Sequence, residues 1–389
     1  MIRMYPKAAV LTAHHPYGGT EMMAQSLAYA LNANGYDAAI FNINDESLQR
    51  LPALLQDSDL GLVMTTGTLP LGVRIGQTPI WEAIGPQVDF ITYLIDAWPY
   101  DYVRVKPFRD YLAAHRRTPN LHLASLEGND ARLIGERVWH MPTGAYPAPW
   151  KRGARAHPER LIMWASAHAE LAVTPIHDDF ESTLRDNNPW GFDDPAIRAI
   201  GERLRGTTIT HGFTAIAEAL GMAPEELGSD ADLVAVSAID SCLKRYRRVL
   251  VVRALRDFPL DIYGTNWERY IEGNPNHRML TPNPNHNHAF SYICQDYAGL
   301  INVDPNFGDG TNERVVSALS MGLPVANNFN LCTDALAGCY PYHFNPESIR
   351  AAARRVLAHS GPIPSPVANA WEHRVGVLLR AIAEPALAS

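Results

Sequence analysis

A turn rich in glycine and polar residues stands between an apolar run and a helical pattern in the stretch Val303–Asn328. The run Leu300–Val303 predicts a strand, and Thr311 or Gly310 would cap the helix that follows. Backbone N–H groups at a helix start, together with the helix dipole, can bind phosphate or a hydroxylated sugar. A plain strand-to-helix turn is the alternative. The polar and glycine residues of this turn are Gly308, Asp309, Gly310, Thr311, Asn312 and Glu313.

A dinucleotide cofactor is a competing interpretation, because Gly308 and Gly310 are spaced like the start of the NAD and FAD glycine fingerprint. Glu313 replaces the third glycine and would crowd the helix against the strand. The next strand ends in Asn327 and Asn328 instead of the acid that holds a ribose. The chain also has no GxxxxGKS/T motif. We therefore expect no bound cofactor and no Walker-type nucleotide site.

A second strand, glycine turn and helix follow one another in Thr12–Met23. Gly18 and Gly19 would shape this turn, as part of a ligand site or as a loop that binds nothing. His14 and His15 are candidates for a general base because histidine titrates near neutral pH. Histidines in such a position are also often structural or merely exposed.

Asp96 closes another predicted strand and is followed by Trp98 and Tyr100. A carboxylate beside aromatic rings suits sugar binding, although an aspartate before Pro99 is equally typical of a turn. Asp96 is therefore a second candidate for the base.

The run Lys244–Arg256 is helical, and its charges lie mostly off the apolar face. We predict a solvated helix face here. The alternative is that one arginine of the run reaches a diphosphate.

The predicted elements suggest two domains with parallel sheets. Short apolar runs alternate with helical stretches, which is typical of βαβ units. We expect a first domain over residues 1–150, a Pro-rich linker at Met141–Pro158, a second domain over residues 151–365 and a closing helix over residues 366–389, which could cross back to the first domain. Residues 176–257 contain several helical patterns and predict a helical insertion, and Asn274–His288 predicts a surface loop. The predicted strands are Ala8–Thr12, Asp37–Asn42, Leu60–Thr66, Asp89–Asp96, Leu121–Ser125, Arg160–Ser166, Leu260–Gly264, Gly299–Asp304 and Leu323–Asn328.

Composition limits the partners of the 389-residue chain. Its formal net charge of −8 argues against a surface that neutralises nucleic acid. The four cysteines form no CxxC pair, and His277, His286 and His288 lack acids or cysteines at useful spacing, so we expect no metal site. The chain has no run of 18 apolar residues. We expect a cytoplasmic protein without a transmembrane segment, and peripheral membrane contact and oligomeric state stay open.

The ordered set of motifs resembles a family. A GGTE helix opening, the Pro-rich crossover, LDIYGTNW, GLINVD and GTNERVVSALSMGLPVANN are similar to glycosyltransferases of the two-Rossmann-domain type, called GT-B. The nearest group is that of the group-1 transferases related to the spore maturation protein CgeB. The resemblance spans most of the chain and implies two Rossmann-like parallel-sheet domains facing a cleft, the second with the helical insertion.

The resemblance implies roles for particular residues. In the family the C-terminal domain binds the nucleotide-sugar donor, the N-terminal domain binds the acceptor, and no metal is needed. Many retaining members carry two glutamates eight positions apart, and this chain has Asp309 and Ser317 at those positions. Gly18 and Gly19 would lie near the reacting centre. By position the donor contacts would be Tyr263, Gly264 and Asn266 on the base side, and Asp309, Gly310, Thr311, Asn312 and Glu313 at the phosphates, ribose or sugar.

These observations lead to a functional expectation. The chain would be a metal-independent glycosyltransferase that moves a sugar from a nucleoside diphosphate to a carbohydrate, protein or small-molecule acceptor. Glu313 would assist the reaction, and His14 or Asp96 would deprotonate the acceptor on an inverting route. The alternatives are a sugar-nucleotide epimerase of the same fold and a non-catalytic nucleotide-sugar-binding or scaffold protein.

Overall fold

The protein is described here by a computed structural model of residues 6–14, 19–96, 98, 101–102, 105–130, 134, 137–145, 154–167, 176–186, 193–206, 216–218, 220–221, 230–281, 289–303, 308–310, 312–364 and 370–383. These residues form two compact units. The first unit draws on Met1–Pro147 and Pro366–Ser389, and the second on Ala148–Asn283 and Ala289–Ser365. Each unit is built on one six-stranded parallel sheet, which confirms the predicted Rossmann-like α/β fold class.

The sheet of the first unit has the strand order β2-β1-β3-β6-β7-β8. This is the order of flavodoxin-like sheets, extended by one strand. Its inner strands β1, β3, β6 and β7 are buried along almost their whole length, as expected when helices cover both faces of a parallel sheet. The strands are β1 (Lys7–Thr12), β2 (Asp37–Asn42), β3 (Leu60–Thr66), β6 (Asp89–Leu94), β7 (Leu121–Ser125) and β8 (Val138–His140), and a small hairpin comprises β4 (Arg74–Ile75) and β5 (Thr78–Pro79).

The helices of the first unit include one from the end of the chain. Asn34 at the end of α1 donates its side-chain amide to the carbonyl of Glu372 at 3.0 Å. A Cβ on Gly144 would lie 2.5 Å from the ring of Trp371, so only glycine allows this close approach. The final helix therefore packs on the first unit. The helices are α1 (Gly19–Ala33), α2 (Leu51–Leu55), α3 (Ile80–Ala83), α4 (Lys106–His115) and α12 (Trp371–Ala383).

The sheet of the second unit has the order β11-β10-β9-β12-β13-β14. Numbered within the unit, this is 3-2-1-4-5-6, the strand order of the Rossmann fold. The strand order reverses between β9 and β12, which are direct neighbours. The strands are β9 (His157–Trp164), β10 (Leu260–Tyr263), β11 (His277–Leu280), β12 (Tyr297–Ile301), β13 (Val325–Asn328) and β14 (Cys339–Tyr342).

Helices cover both faces of this second sheet. Alternate residues of β9 show the two faces: Leu161 and Met163 belong to one buried cluster, and Ile162 belongs to another. The first cluster contains residues of α7 and α11, and the second contains residues of α9 and α10. The helices are α5 (Phe180–Asp186), α6 (Asp194–Gly206), α7 (Asp230–Ala254), α8 (Glu268–Ile271), α9 (Ala289–Cys294), α10 (Glu313–Ser320) and α11 (Pro346–Leu357).

The region predicted as a helical insertion contains α5, α6 and α7, and no strand occurs among its described residues. The C-terminal half of α7 belongs to the core, because Val249 and Val252 are fully buried. Leu255, just beyond the end of the helix, is fully buried as well. This part of the range is the crossover helix between β9 and β10. The predicted solvated face is wrong at Arg247, which is buried and stacks over the ring of Phe344 at 4.5 Å.

The loop predicted over Asn274–His288 is wrong at His277–Leu280, which forms the edge strand β11. This segment pairs in parallel with β10, with His277 opposite Leu260. His277 is buried, and its Nε2 atom donates to the carbonyl of Leu255 at 3.0 Å. Burial lowers the pKa of His277. His286 and His288 lie outside the described residues.

A buried ion cluster lies near the amino end of β10. Asp261 is fully buried and receives hydrogen bonds from the Nε atoms of Arg160 and Arg278, both at 2.8 Å. The hydroxyl of Tyr297 adds a third at 2.8 Å. Burial alone would raise the pKa of Asp261, but these donors outweigh it and lower that pKa. The cluster ties β9, β10, β11 and β12 together.

Candidate functional site

The carboxyl ends of the central strands in the second unit carry the predicted donor residues. Trp164 ends β9, Tyr263 ends β10, and the turn after β12 leads to Glu313. Open α/β sheets bind ligands at this edge, at the point where the strand order reverses. In this sheet the reversal falls between β9 and β12, so the turn and the end of β9 define the candidate site.

The turn after β10 packs tightly on the turn after β9. A Cβ on Gly264 would lie 2.1 Å from the carbonyl oxygen of Ala165, so glycine is required there. The same carbonyl accepts a hydrogen bond from Nε1 of the buried Trp267 at 2.7 Å. Ser166 accepts from the amide and from the hydroxyl of Thr265, at 3.1 and 3.0 Å. The two turns therefore act as one rigid platform.

Asn266 lies within this platform in the left-handed region, with φ of 65°. Asparagine adopts this conformation more readily than most residues, but an observed outlier of this kind often marks a functional turn. The role of Asn266 as a donor contact stays a prediction.

Tyr263 is stacked on Trp164. The two ring centroids are 3.8 Å apart and the planes are inclined by 15°, while Phe290 meets the indole edge-on at 5.2 Å. Tyr263 is buried and Trp164 is half-buried. The stack gives the end of β9 a fixed aromatic surface.

Residues of the loop after β13 form hydrogen bonds with the glycine turn that follows β12. Leu331 donates its amide to the carbonyl of Gly308 at 3.0 Å, and the side-chain amide of the buried Asn330 donates to the carbonyl of Gly310. Cys332 donates its Sγ–H to Asp309 at 3.4 Å. Two backbone carbonyls of this turn therefore have fixed partners. Thr311 lies outside the described residues.

Asn312 is the N-cap of α10, which corrects the predicted cap at Thr311 or Gly310. Its side-chain oxygen accepts from the amide of Arg314 at 3.0 Å, and its extended backbone leads directly into the helix. Glu313 is the first helical residue, with its side chain 24% exposed. Ser317 occupies the position of the family's second glutamate and is fully buried within the helix.

Arg314 is a functional candidate that the sequence analysis missed. Its Nε atom donates to Asn312 Oδ1 at 2.7 Å, and its Nη1 atom donates to the carbonyl of Trp164. The side chain thus runs from the start of α10 to the end of β9. An arginine one position inside a helix gives no sequence signal for such a contact.

Arginines of α7 also reach this edge of the sheet. Arg248 donates Nη1 to the carbonyl of Ser166 at 3.0 Å. The buried guanidinium of Arg247 lies near Asp240 and Tyr342, and its pKa falls to about 10 because burial disfavours the charged form. The alternative that one arginine of this run reaches a diphosphate stays a prediction, and Arg248 contacts the turn after β9.

The first unit brings His14 together with Glu21, the first acidic residue of α1. Nδ1 of His14 lies 2.9 Å from Oε1 of Glu21, while the imidazole is 67% exposed. The hydroxyl of Thr20 donates to the carbonyl of Ala13 at 2.7 Å and ties the helix start to the strand end. Gly19 begins α1, whereas His15 and Gly18 lie outside the described residues.

Asp96 lies just beyond β6 and is exposed. Since β3 separates β1 from β6, the strand ends that carry His14 and Asp96 are about 10 Å apart. The structure therefore does not pair these two candidates. Trp98 is buried against Tyr102 instead of lying open beside Asp96, and Tyr100 lies outside the described residues.

Two buried carboxylates follow β7, and the sequence analysis did not select either. Asp130 accepts a hydrogen bond from the hydroxyl of Ser125, and Glu127 accepts from the side-chain amide of Asn129 at 2.6 Å. Both carboxylates are buried and partnered within one turn. This arrangement shapes the turn.

Comparisons with known proteins found similarity only to solved structures, and at low sequence identity. No family model matches the sequence, and no curated protein matches it. Among solved structures the chain is similar to a glycosyltransferase from Rickettsia africae, with a TM-score of 0.44, 8% identity and coverage of 98% of this chain and 93% of that one.

Two further structures have similar values. HepE from Anabaena, in complex with UDP and glucose, has a TM-score of 0.48 and 9% identity over 96% of this chain and 94% of HepE. The spinosyn rhamnosyltransferase SpnG has a TM-score of 0.37 and 12% identity over 97% of this chain and all of SpnG. These TM-scores lie below 0.5, so the fold assignment depends on the strand order of the two sheets.

No helix among the described residues is long and apolar enough to cross a membrane.

Proposed function

We propose that the chain is a glycosyltransferase that takes a sugar from a nucleoside diphosphate and binds that donor on its second unit. The main observation behind this proposal is the position of helix α10, which is capped by Asn312. The helix starts at the switch point of a sheet with Rossmann strand order. Such a helix start favours the negative charge of a diphosphate leaving group. The donor would also meet Glu313 and the platform formed by Gly264 and Asn266.

A dinucleotide cofactor fits this sheet poorly. In the Rossmann fold the glycine fingerprint occupies the first strand-to-helix turn of the unit. That turn follows β9 and begins Ala165–Ser166–Ala167, without a glycine. The acid that holds a ribose would follow at the end of the second strand of the unit, β10, which ends in Tyr263.

We further propose that His14 of the first unit is the general base that deprotonates the acceptor hydroxyl. Glu21 accepts the Nδ1 proton, which leaves a lone pair on the exposed Nε2 atom. Asp96 is the weaker candidate, because no carboxylate or histidine partner holds it among the described residues. The exposed imidazole of His14 is oriented by the largely buried carboxylate of Glu21, which is the geometry of a base set up for proton transfer.

A non-catalytic nucleotide-sugar-binding protein is the second candidate. The observation that favours it is the buried Ser317, which cannot offer a carboxylate to the ligand as the second glutamate of retaining relatives does. An inverting transferase does not need that carboxylate, so measured turnover separates the two functions. Sugar transfer to any acceptor would exclude the binding protein.

The test is a thermal unfolding titration with UDP, GDP, dTDP and their common sugars, with NAD as the control. A ligand at about 100 times its dissociation constant stabilises the fold by about 2.7 kcal/mol. We expect one nucleoside diphosphate to stabilise the chain and the E313A variant to respond less. Stabilisation by NAD alone, or by none of these ligands, would refute the proposal.

A further inference from the structure

The turn after β2 carries an asparagine that contacts the proposed base. The side-chain oxygen of Asn44 accepts a hydrogen bond from the backbone N–H of His14 at 2.7 Å, across 30 residues of sequence. The two residues follow the neighbouring parallel strands β2 and β1, so both lie at the carboxyl edge of the first sheet. Asn44 therefore belongs to the direct surroundings of His14.

This hydrogen bond fixes the orientation of the Asn44 amide. A backbone N–H can only donate, so the side-chain atom that faces it is the oxygen, and the NH₂ group is directed away from it. The backbone N–H of Asn44 donates to the side-chain oxygen of Asn42 at 3.0 Å. The N–H of Ile43 donates to the carbonyl of Thr12 at 2.9 Å, which continues the pairing of β1 with β2. The amide is therefore oriented before a ligand arrives, which lowers the cost of binding.

The NH₂ group of Asn44 is available to a ligand. Asn44 is exposed, and its Nδ2 atom has no hydrogen-bond partner in the part of the chain that the structure describes. Nε2 of His14 offers a lone pair, because Glu21 accepts the Nδ1 proton. Two residues in direct contact thus present one hydrogen-bond donor and one acceptor at this edge of the sheet.

This pair of groups indicates the chemistry of the acceptor. A serine side chain or a phenol offers its hydroxyl without a second one beside it, and the base alone would engage it. A sugar carries hydroxyls on neighbouring carbons, so one can face His14 while the next accepts from Nδ2 of Asn44. We infer that the acceptor is a carbohydrate, and that Asn44 recognises the oxygen adjacent to the reacting hydroxyl. This inference rests on the proposed function and adds the acceptor class to it.

Asn44 positions the acceptor and takes up no proton. The reacting hydroxyl gives its proton to Nε2 of His14, its oxygen bonds to the anomeric carbon of the donor sugar, and the bond between that carbon and the diphosphate breaks with its electron pair. A side-chain amide only donates and accepts hydrogen bonds. Its contribution is to hold the hydroxyl in the geometry that reacts.

The test compares acceptors in steady-state assays with the nucleoside-diphosphate sugar that the thermal titration selects. The panel contains the methyl glycosides of glucose, galactose and mannose, together with N-acetylserinamide and phenol. We expect transfer to a glycoside. For that glycoside, wild-type kcat/KM should fall about 3- to 10-fold when the hydroxyl adjacent to the transfer position is replaced by hydrogen, since one hydrogen bond is lost.

The N44A variant should lower kcat/KM for the full glycoside by the same factor. It should leave kcat/KM for the deoxy glycoside within about twofold of the wild-type value, because that acceptor lacks the recognised oxygen. A displaced His14 would instead slow both acceptors equally. If N44A does not fold, N44S serves in its place, since its hydroxyl can still accept a hydrogen bond while the NH₂ group is gone.

Asn32 is the matched control in the same unit. It is exposed, and its side-chain oxygen accepts from the backbone N–H of Ala38 at 3.0 Å, as that of Asn44 does from His14. Ala38 lies near the start of β2, at the opposite end of the strand from Asn44. N32A should leave kcat/KM unchanged for the glycoside and for its deoxy analogue.

The outcomes separate this inference from the proposed function. Transfer to N-acetylserinamide or phenol but to no glycoside would overturn the carbohydrate acceptor and leave the glycosyltransferase in place. Equal wild-type kcat/KM for a glycoside and its deoxy analogue, or an equal loss for both in N44A, would overturn the role of Asn44 alone. A chain that binds a donor but transfers to none of the acceptors would overturn the transferase proposal and this inference together.

Discussion

Nδ1 of His14 lies 2.9 Å from Oε1 of Glu21, so the helix that follows β1 orients the histidine at the end of that strand. This pair joins a residue that the sequence analysis selected to one that it did not consider as a partner. Its geometry fixes which ring nitrogen carries the proton. The pair therefore makes the proposal of a general base testable at two positions.

The H14A variant should lower kcat by a factor of about 10² to 10⁴, because proton removal from the acceptor loses its base. E21Q should lower kcat less, since the base remains but is oriented by a neutral acceptor. Donor affinity should not change in either variant. Steady-state kinetics with the donor found in the thermal titration would measure both effects.

His177 provides the control for this prediction. It forms a similar pair with Asp186, with Nε2 and Oδ2 2.6 Å apart, on the surface of the second unit. H177A should leave kcat unchanged. An H14A variant with the same kcat as H177A would remove His14 from the mechanism.

The G264A variant should unfold more easily than the wild type and bind the donor more weakly. Its Cβ would meet the Ala165 carbonyl at 2.1 Å, and backbone cannot rotate away as a flexible side chain does. Overpacking of this kind costs about 1–3 kcal/mol. Denaturant titration measures the loss of stability.

Gly361 is the control in the same unit, since a Cβ there would meet nothing within 4 Å. G361A should leave stability and binding close to the wild-type values. If G264A is as stable as G361A, the two turns are not held as tightly as the structure indicates.

The D261N variant should lower the stability of the second unit. It should also make that stability depend less on pH in the acidic range. Loss of one partner of a buried ion pair costs about 3–5 kcal/mol. Because the folded state lowers the pKa of Asp261, its contribution is complete above the unfolded pKa near 4 and is lost as the pH falls through the lower folded pKa. Wild-type stability should therefore decline more steeply below about pH 4 than that of D261N.

The measurement is urea unfolding at a series of pH values from neutral to acidic. Asp194 supplies the comparison, because its ion pair with Arg185 is exposed, with side chains 63% and 47% accessible. D194N should follow the wild-type curve, since exposed pairs contribute little. Parallel curves for wild type and D261N below pH 4 would contradict the account of the buried cluster.

The sequence predicted the inner strands well, because long apolar runs such as Leu60–Thr66 have few alternatives in a parallel sheet. It missed the edge strands β8, β11 and β14. His277–Leu280 is short, polar and preceded by turn-forming residues, so only its pairing with β10 makes it a strand. Cys339–Tyr342 contains a proline that is tolerated at an edge.

Parts of the candidate site could not be predicted for a different reason. Tyr263, Gly264 and Glu313 stand out through motif and position, whereas Arg314 and Arg248 look like ordinary helix-surface residues in the sequence. Their contacts with the carbonyl of Trp164, which ends β9, and of Ser166, just beyond it, depend on the packing of distant segments. Long-range hydrogen bonds of this kind leave no local pattern.

The central claim is that the second unit binds a nucleoside diphosphate at the turn between β12 and α10. A crystal structure of the chain with the nucleoside diphosphate that stabilises it would test this claim most directly. We predict that the diphosphate lies within hydrogen-bond distance of the backbone amides at the start of α10. A diphosphate bound elsewhere on the chain would contradict the account.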